Sequence, residues 1–352
     1  TVAATNSVAA GALKAVGAMV GLAAAIKTIS TIAGFEEAMA TVGAVTGRTG
    51  DELQEMTTLA REMGSVTRFS ATQAAEGLLA LSRAGFSGAE AMAALSPALA
   101  MATGGGLELG EAAGFVSNTI RQFALSADEA TRVANTFTTA SNRSNTNMQE
   151  LAEAMKYAGT VAGSFEYEVE QTAAALGVLA DRGVQGSMAG TQLRGVMLAL
   201  AKPTEEAEKA LGKLGLKVHE VNPATKDLQQ IAEALKRGIE GLANPLDAAG
   251  LASAIFGRRN ASAAVAMAAS AEQMAKVTKE IKANKTAAQD QADMMNDTLV
   301  GAWYNFKSAV EEAMQAAGAG GLTGVLRGIV DTLTETVRIL NGTSSAWLNA
   351  ST

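Results

Sequence analysis

Four times between residues 51 and 200, a Ser or Thr is answered three residues later by Glu or Gln: Ser70 with Gln73, Ser87 with Glu90, Ser126 with Glu129 and Thr146 with Gln149. This is the capping-box spacing. The hydroxyl accepts an orphan amide of the first helical turn, and the acidic or amide side chain reaches back to the cap, so each pair predicts a helix entry. Phe69, Phe86 and Leu125 stand immediately before three of the caps, where an apolar side chain can staple the incoming chain to its helix. Gly85, Gly104-Gly105-Gly106 and Gly163 supply stops between the entries. Such short helices joined by short turns give antiparallel helical hairpins. The spacing from Phe69 to Leu107 and on to Met148 is a loose repeat of about 40 residues, the length of a helical repeat.

The composition agrees with that reading. Hydrophobic residues make up 48% of the chain but aromatic residues only 4%, so Ala, Val, Leu and 15 Met supply the apolar share. Ala and Met favour helix, and the worst helix former, Pro, occurs 4 times. A sandwich or barrel would need β-branched and aromatic strands instead. The 352 residues are enough for two units, or three, at about 150 residues each. With no Cys, the chain has no disulfide, thiolate metal site or Cys nucleophile, and its single His excludes a site built on two imidazoles. A net charge of −7 argues against a broad phosphate-binding surface. The charged share of 18% is low for a soluble domain, and the mean hydropathy of +0.14 is high. This balance points to a structural or assembly protein.

Four regions follow along the chain. Residues 1–50 form an apolar N-terminal helical segment that opens without Met, as a piece of a longer protein would. Between residues 8 and 35 the only charges are Lys14 and Lys27. The uninterrupted run Ala15 to Ile26 falls short of the about 20 residues that span a bilayer, although lysine snorkelling would lengthen it. Gly17 and Gly21 form a small-xxx-small pair and, with Leu22 and Ile26, are the candidate membrane-contacting residues. Residues 51–201 are the helical-hairpin core. Residues 202–270 mix helix with a short strand-like element. Thr204 to Leu214 reads as a charged helix ended by Gly215, Leu216 to Val221 alternates apolar and polar, and Asp227 and Asn244-Pro245 each open a further helix. Residues 271–352 begin with a solvated helix from Glu272 to Asp297. Leu299, Trp303, Phe306 and Val310 then fall at spacings of four, three and four, a short seam suited to oligomerisation, and Leu322, Leu326, Ile329 and Leu333 repeat the rhythm. The fold expected is mainly α, antiparallel hairpins with a strand-like insertion near 216–221 and longer helices at both ends.

Catalytic signatures are missing. The sequence holds no phosphate-loop motif and no HExxH. Gly104-Gly105-Gly106 follows a helical stretch where a nucleotide loop would follow a strand. Glu166, Glu168 and Glu170 alternate at period two, which fans them around different faces of a helix and suits them to favouring a helix N-terminus. His219 has no matching Ser or carboxylate partner, and Arg194, Arg258 and Arg259 read as salt-bridge partners in an acidic chain. No catalytic, cofactor-binding or metal-binding residue is assigned, and the chain is read as no enzyme.

Several stretches resemble the core region of phage tail tape measure proteins. They are FEEAMATVGAVTGR at 35–48 with the run from Leu53 to Ser87, GSMAGTQLRGVMLALAKPTEEA at 186–207, AIFGRRNASAAVAMA at 254–268, and GLTGVLRGIVDTLTETV at 321–337. The resemblance implies a virion component in the tail lumen, assembled in the host cytoplasm, that helps set tail length and is released ahead of DNA on genome ejection. It implies self-association as a homotrimer, contact with tail tube and tail tip proteins, possible host-membrane contact, and no specific nucleic-acid binding or cofactor. Even fully helical, 352 residues would reach only about 530 Å at ~1.5 Å per residue, so the chain reads as the folded core of the tape and not its ruler. The competing reading is a membrane-active, pore-forming helical protein, motivated by residues 8–35.

Overall fold

The computed structural model describes residues 32–244 and 247–317, and every regular element in them is helical. Helix α1 occupies 32–46. It is followed by α2 (Gly50–Val66), α3 (Ala71–Arg83), α4 (Gly88–Gly105), α5 (Leu109–Gln122), α6 (Ala130–Arg143), α7 (Met148–Ser164), α8 (Val169–Asp181) and α9 (Gly186–Ala201). Then come α10 (Glu205–Lys213), α11 (Leu228–Glu240), α12 (Asp247–Ala269), α13 (Ala271–Ala283), α14 (Ala287–Asn296) and α15 (Leu299–Ala317).

One turn recurs between these helices. A residue in the left-handed region ends the helix, an apolar residue follows, and the next residue caps the next element. The left-handed residues are Gly85, Gly106, Ala124, Glu166, Gly183 and Gly215. After each, the apolar residue's amide bonds five residues back: Phe86 to Leu81 O, Leu107 to Ala102 O, Leu125 to Ile120 O, Tyr167 to Ala162 O, Val184 to Leu179 O and Leu216 to Leu211 O, at 2.9–3.2 Å. This is the Schellman closure, which satisfies the orphan carbonyls of the outgoing helix. Phe86, Tyr167, Val184 and Leu216 are buried, so the turn also pins its apolar residue in the core.

The caps follow from the same geometry. Ser70 and Gln73 exchange both bonds, at 3.2 and 3.0 Å. Ser87 and Glu90 form a complete box at the start of α4. The Glu129 carboxylate accepts from the Ser126 amide at 3.1 Å, across the 3₁₀ turn Ala127–Glu129 that leads into α6. The expected box at Thr146 and Gln149 is displaced by one residue: Asn147 caps α7, its side chain accepting from the Glu150 amide at 2.8 Å, and Thr146 donates to the Glu150 carboxylate. Asn147 and Thr146 compete for the same turn, and the amide oxygen of Asn147 takes it.

The strand expected at 216–221 is not formed. Leu216 is the apolar residue of a Schellman turn, and Val218–Glu220 is a single 3₁₀ turn closed by the Glu220 carboxylate on the Lys217 amide at 2.9 Å. Burial of Leu216 and Val221 at its two ends produces the alternation, and no strand exists among the described residues to pair with it. The expected starts after Thr204 and Asp227 stand, both side chains accepting amides as caps. Residues 272–297, expected as one solvated helix, form α13 and α14, which bury Met274, Val277, Ile281, Ala287, Ala288 and Ala292. A few apolar residues spaced among charged ones carry that burial, which a reading by charge density passes over.

The chain divides into two compact units, one comprising Thr1–Leu79 with Thr298–Thr352 and the other Ala80–Asp297. In the second unit the densest packing is between α7 and α9, and α14 packs on α4 and α6. Glycines permit the approach: a Cβ at Gly190 would lie 2.0 Å from Ala154 O, and one at Gly163 would lie 1.8 Å from Gln122 O. Asn135 of α6 anchors α14, its side chain accepting from the Ala288 amide at 2.9 Å and donating to Lys285 O. Helix α12 is broken at Gly257, whose φ of 74° and ψ of 156° lie in a region essentially restricted to glycine.

Candidate functional site

The sequence-derived seam lies on α15. Leu299 opens the helix, Trp303 is 63% exposed, and Phe306 and Val310 are half-buried. Trp303 and Phe306 stack with ring centroids 5.7 Å apart. A different face of α15 packs on α2. Buried Ser308 donates to Gly64 O and Phe69 O, and Arg68 lies over the Tyr304 ring at 4.2 Å. The short residues Gly301 and Ser308 are buried on that inner side, which leaves Trp303 and Val300 outward. Sequence spacing gave no sign of the Ser308 and Arg68 contacts, because a serine and an arginine carry no hydrophobic period. Gly17, Gly21, Leu22 and Ile26, and the second seam at Leu322 to Leu333, lie outside the described residues.

The three alternating glutamates serve three different purposes. Glu166 is the left-handed residue of the α7–α8 turn, with φ of 57°. Glu168 stands at the start of α8 and pairs with Lys282 of α13. The side chain of Glu170 is only 4% exposed and takes a two-pronged grip from Arg132 of α6, at 2.6 and 2.8 Å. Arg132 also holds Glu129 at 2.6 Å. Burial pushes the Glu170 carboxyl up, but Arg132, its own backbone amide and Lys282 outweigh that and hold it below the usual carboxylate range. Glu170, with Glu129 adding to it, raises Arg132 further above an already high value. These charges fasten α6, α8 and α13 together. The 38-residue separation of Arg132 and Glu170 falls near the loose sequence repeat, its only trace in the sequence.

Among the described residues, no group of three or more His, Asp or Glu could hold a metal ion. His219 sits exposed in the 3₁₀ turn. Arg194, Arg258 and Arg259 are exposed and make no ion pair among the described residues, contrary to their expected role as salt-bridge partners. Gly104-Gly105-Gly106 ends α4, with Gly106 as its left-handed cap. No described helix is long and apolar enough to cross a membrane.

Every regular element among the described residues is helical, and Schellman turns and interhelical ion pairs hold the helices together. Residues 57–257 match the family described as phage-related minor tail protein. The tape measure protein of Pneumococcus phage Dp-1 is 33% identical over 299 residues, 82% of this chain. The chain belongs to the phage tail tape measure proteins. The probable tape measure protein of Escherichia phage P2 is 30% identical over 296 residues, 83% of the chain. The chain spans 26% and 36% of the lengths of these two tape measure proteins. No solved structure matches it. This tape measure segment is a helical structural protein of the phage tail.

Proposed function

We propose that the chain is the folded core segment of its tape measure protein, placed in the tail lumen, helping to set tail length during assembly and leaving ahead of the DNA. The observation that carries this is the similarity to two tape measure proteins across more than four-fifths of the chain. The helices double back through turns of three or four residues, so this segment contributes far less length than a continuous rod at ~1.5 Å per residue. Its net charge of −7 suits a tube through which DNA slides. The tape acts as no enzyme and needs no cofactor. Three copies associate through Leu299, Trp303, Phe306 and Val310, while tail tube and tail tip proteins surround them. Any contact with the host membrane falls to residues 8–35.

Limited proteolysis of intact particles tests the placement. Peptides from residues 32–317 should be protected in intact virions and become cleavable once DNA release is triggered. Cleavage in intact, filled particles would place the segment outside the lumen.

A further inference from the structure

We propose that the outer face of α9, with the two arginines that follow the break in α12, docks an acidic amphipathic helix of a partner polypeptide. Two stretches far apart in sequence meet there. A Cβ at Gly195 would lie 2.4 Å from the Asn260 side chain, and Ser262 donates to Gln192 Oε1 at 3.1 Å. Contacts on α12 step backwards as those on α9 step forwards, so the two helices run antiparallel. One turn beyond Gly195, Leu198 therefore comes level with Arg258 and Arg259. Arg194 lies four residues before Leu198, on the same face of α9. Leu198 is 45% exposed, and all three arginines are exposed. The face thus has an apolar centre with guanidinium groups on both sides. Met188, earlier on α9, and Tyr157 of the adjoining α7 are exposed as well.

Other arginines of this unit are engaged inside the fold. Arg132 and Arg143 pair with carboxylates, and Arg121 lies over the Phe86 ring. Arg194, Arg258 and Arg259 make no ion pair among the described residues. Arg258 and Arg259 also open the second half of α12, directly after the non-helical Gly257. The first turn of a helix carries the positive end of its dipole, so two cations there work against the helix. A local cost without a gain inside the fold is characteristic of a functional face. The composition selects the occupant. Arginine, tyrosine and methionine are enriched where proteins meet, and a guanidinium grips a carboxylate through two parallel N–H bonds. A helix reading Glu-x-x-x-Leu-x-x-Glu seats its leucine on Leu198 and offers a carboxylate one turn away on each side. A nucleic-acid duplex would reach the arginines but leave Leu198 and Met188 against a hydrated backbone. The net charge of −7 also opposes a long polyanion.

The test uses the full chain and a fluorescein-labelled, alanine-based peptide of ~16 residues, long enough to hold a helix, that carries the Glu, Leu, Glu pattern. Fluorescence anisotropy should show saturable binding in the micromolar to millimolar range. Changing each peptide glutamate to glutamine should weaken it by up to about fivefold, the effect of losing one exposed ion pair. Arg258→Gln with Arg259→Gln should weaken binding by a similar factor per arginine. The same variant should raise the melting temperature of the free chain, because two cations leave a helix N-terminus, whereas a purely structural role would lower it. Leu198→Ser should also weaken peptide binding, which a contact of charge alone would not show. No saturable binding, equal affinity for the glutamine peptide, or unchanged affinity in either variant of the chain would overturn the proposal. Tighter binding of a DNA duplex of about 20 base pairs than of the peptide, at about 0.15 M salt, would reassign the face to nucleic acid. Loss of self-association in the arginine variant, seen by light scattering, would reassign it to a second copy of the chain. Either result would overturn the partner helix.

Discussion

At Glu166 and Ala124, side-chain-bearing residues occupy the left-handed turn position that Gly85, Gly106, Gly183 and Gly215 fill elsewhere in the same motif. The Cβ penalty there is about 1–2 kcal/mol, partly offset by the greater entropy glycine would have in the unfolded chain. Glu166→Gly and Ala124→Gly should therefore each stabilise the fold by up to about 1 kcal/mol, read from thermal or denaturant unfolding, while Gly183→Ala destabilises it. The Arg132–Glu170 pair makes the pH dependence explicit. Glu170 titrates below its ordinary value of 4.5 in the native state, so its stabilisation is full above the unfolded value and is lost as pH falls through the depressed native one. Glu170→Gln should flatten the acid limb of the stability profile. Its cost at neutral pH should stay below the about 3–5 kcal/mol of a fully buried pair, because Arg132 is 36% exposed and keeps Glu129. An unchanged acid limb would show that other carboxylates carry it. The Ser87 and Ser70 caps were legible in the sequence because a capping box is local. Arg132 with Glu170 was not, since nothing within a few residues of either announces a partner 38 positions away.

The elements were legible where punctuation was strong and misread where one pattern has two physical origins. Phe86 and Leu125 were read from sequence as staples of the following helix, and they are also the apolar closures of the preceding one. The alternation from Leu216 to Val221 resembles a strand because a Schellman turn and a 3₁₀ turn happen to bury residues at both ends. The packing of α14 was hidden because its buried face is alanine, which weighs little in any hydrophobic period, and that of α13 because Met274, Val277 and Ile281 are spaced among charged residues. Helix contact through glycine gives the element-scale test. Gly163→Ala puts a methyl group 1.8 Å from Gln122 O of α5, so the two helices must separate, at about 1–3 kcal/mol or more. Gly212→Ala in α10 meets no atom within 4 Å and should stabilise by about 0.5–1 kcal/mol. Equal effects of the two substitutions in denaturant unfolding would mean that α5 and α7 do not meet at Gly163.

For the whole molecule, the question is what covers α15 and where the folded units sit in the tail. Trp303 and Phe306 each bring about 150–250 Å² of side-chain surface. Burial against symmetry mates at about 25 cal/mol per Å² is worth several kcal/mol per chain before entropy. Trp303→Asp with Phe306→Asp should therefore reduce the oligomer seen by light scattering, and an unchanged mass would place the contact between copies elsewhere. The family was legible from residues spread over three hundred positions, and caps and glycine stops already pointed to helical hairpins; what the fold adds is the Schellman closure at each turn. The most direct test is a map of the assembled tail at a resolution that separates helices. The account expects compact helical-hairpin density within the tube, with α7 and α9 packed side by side in each copy. Continuous rods running along the tube over residues 80–297, or a lumen without this segment, would contradict it.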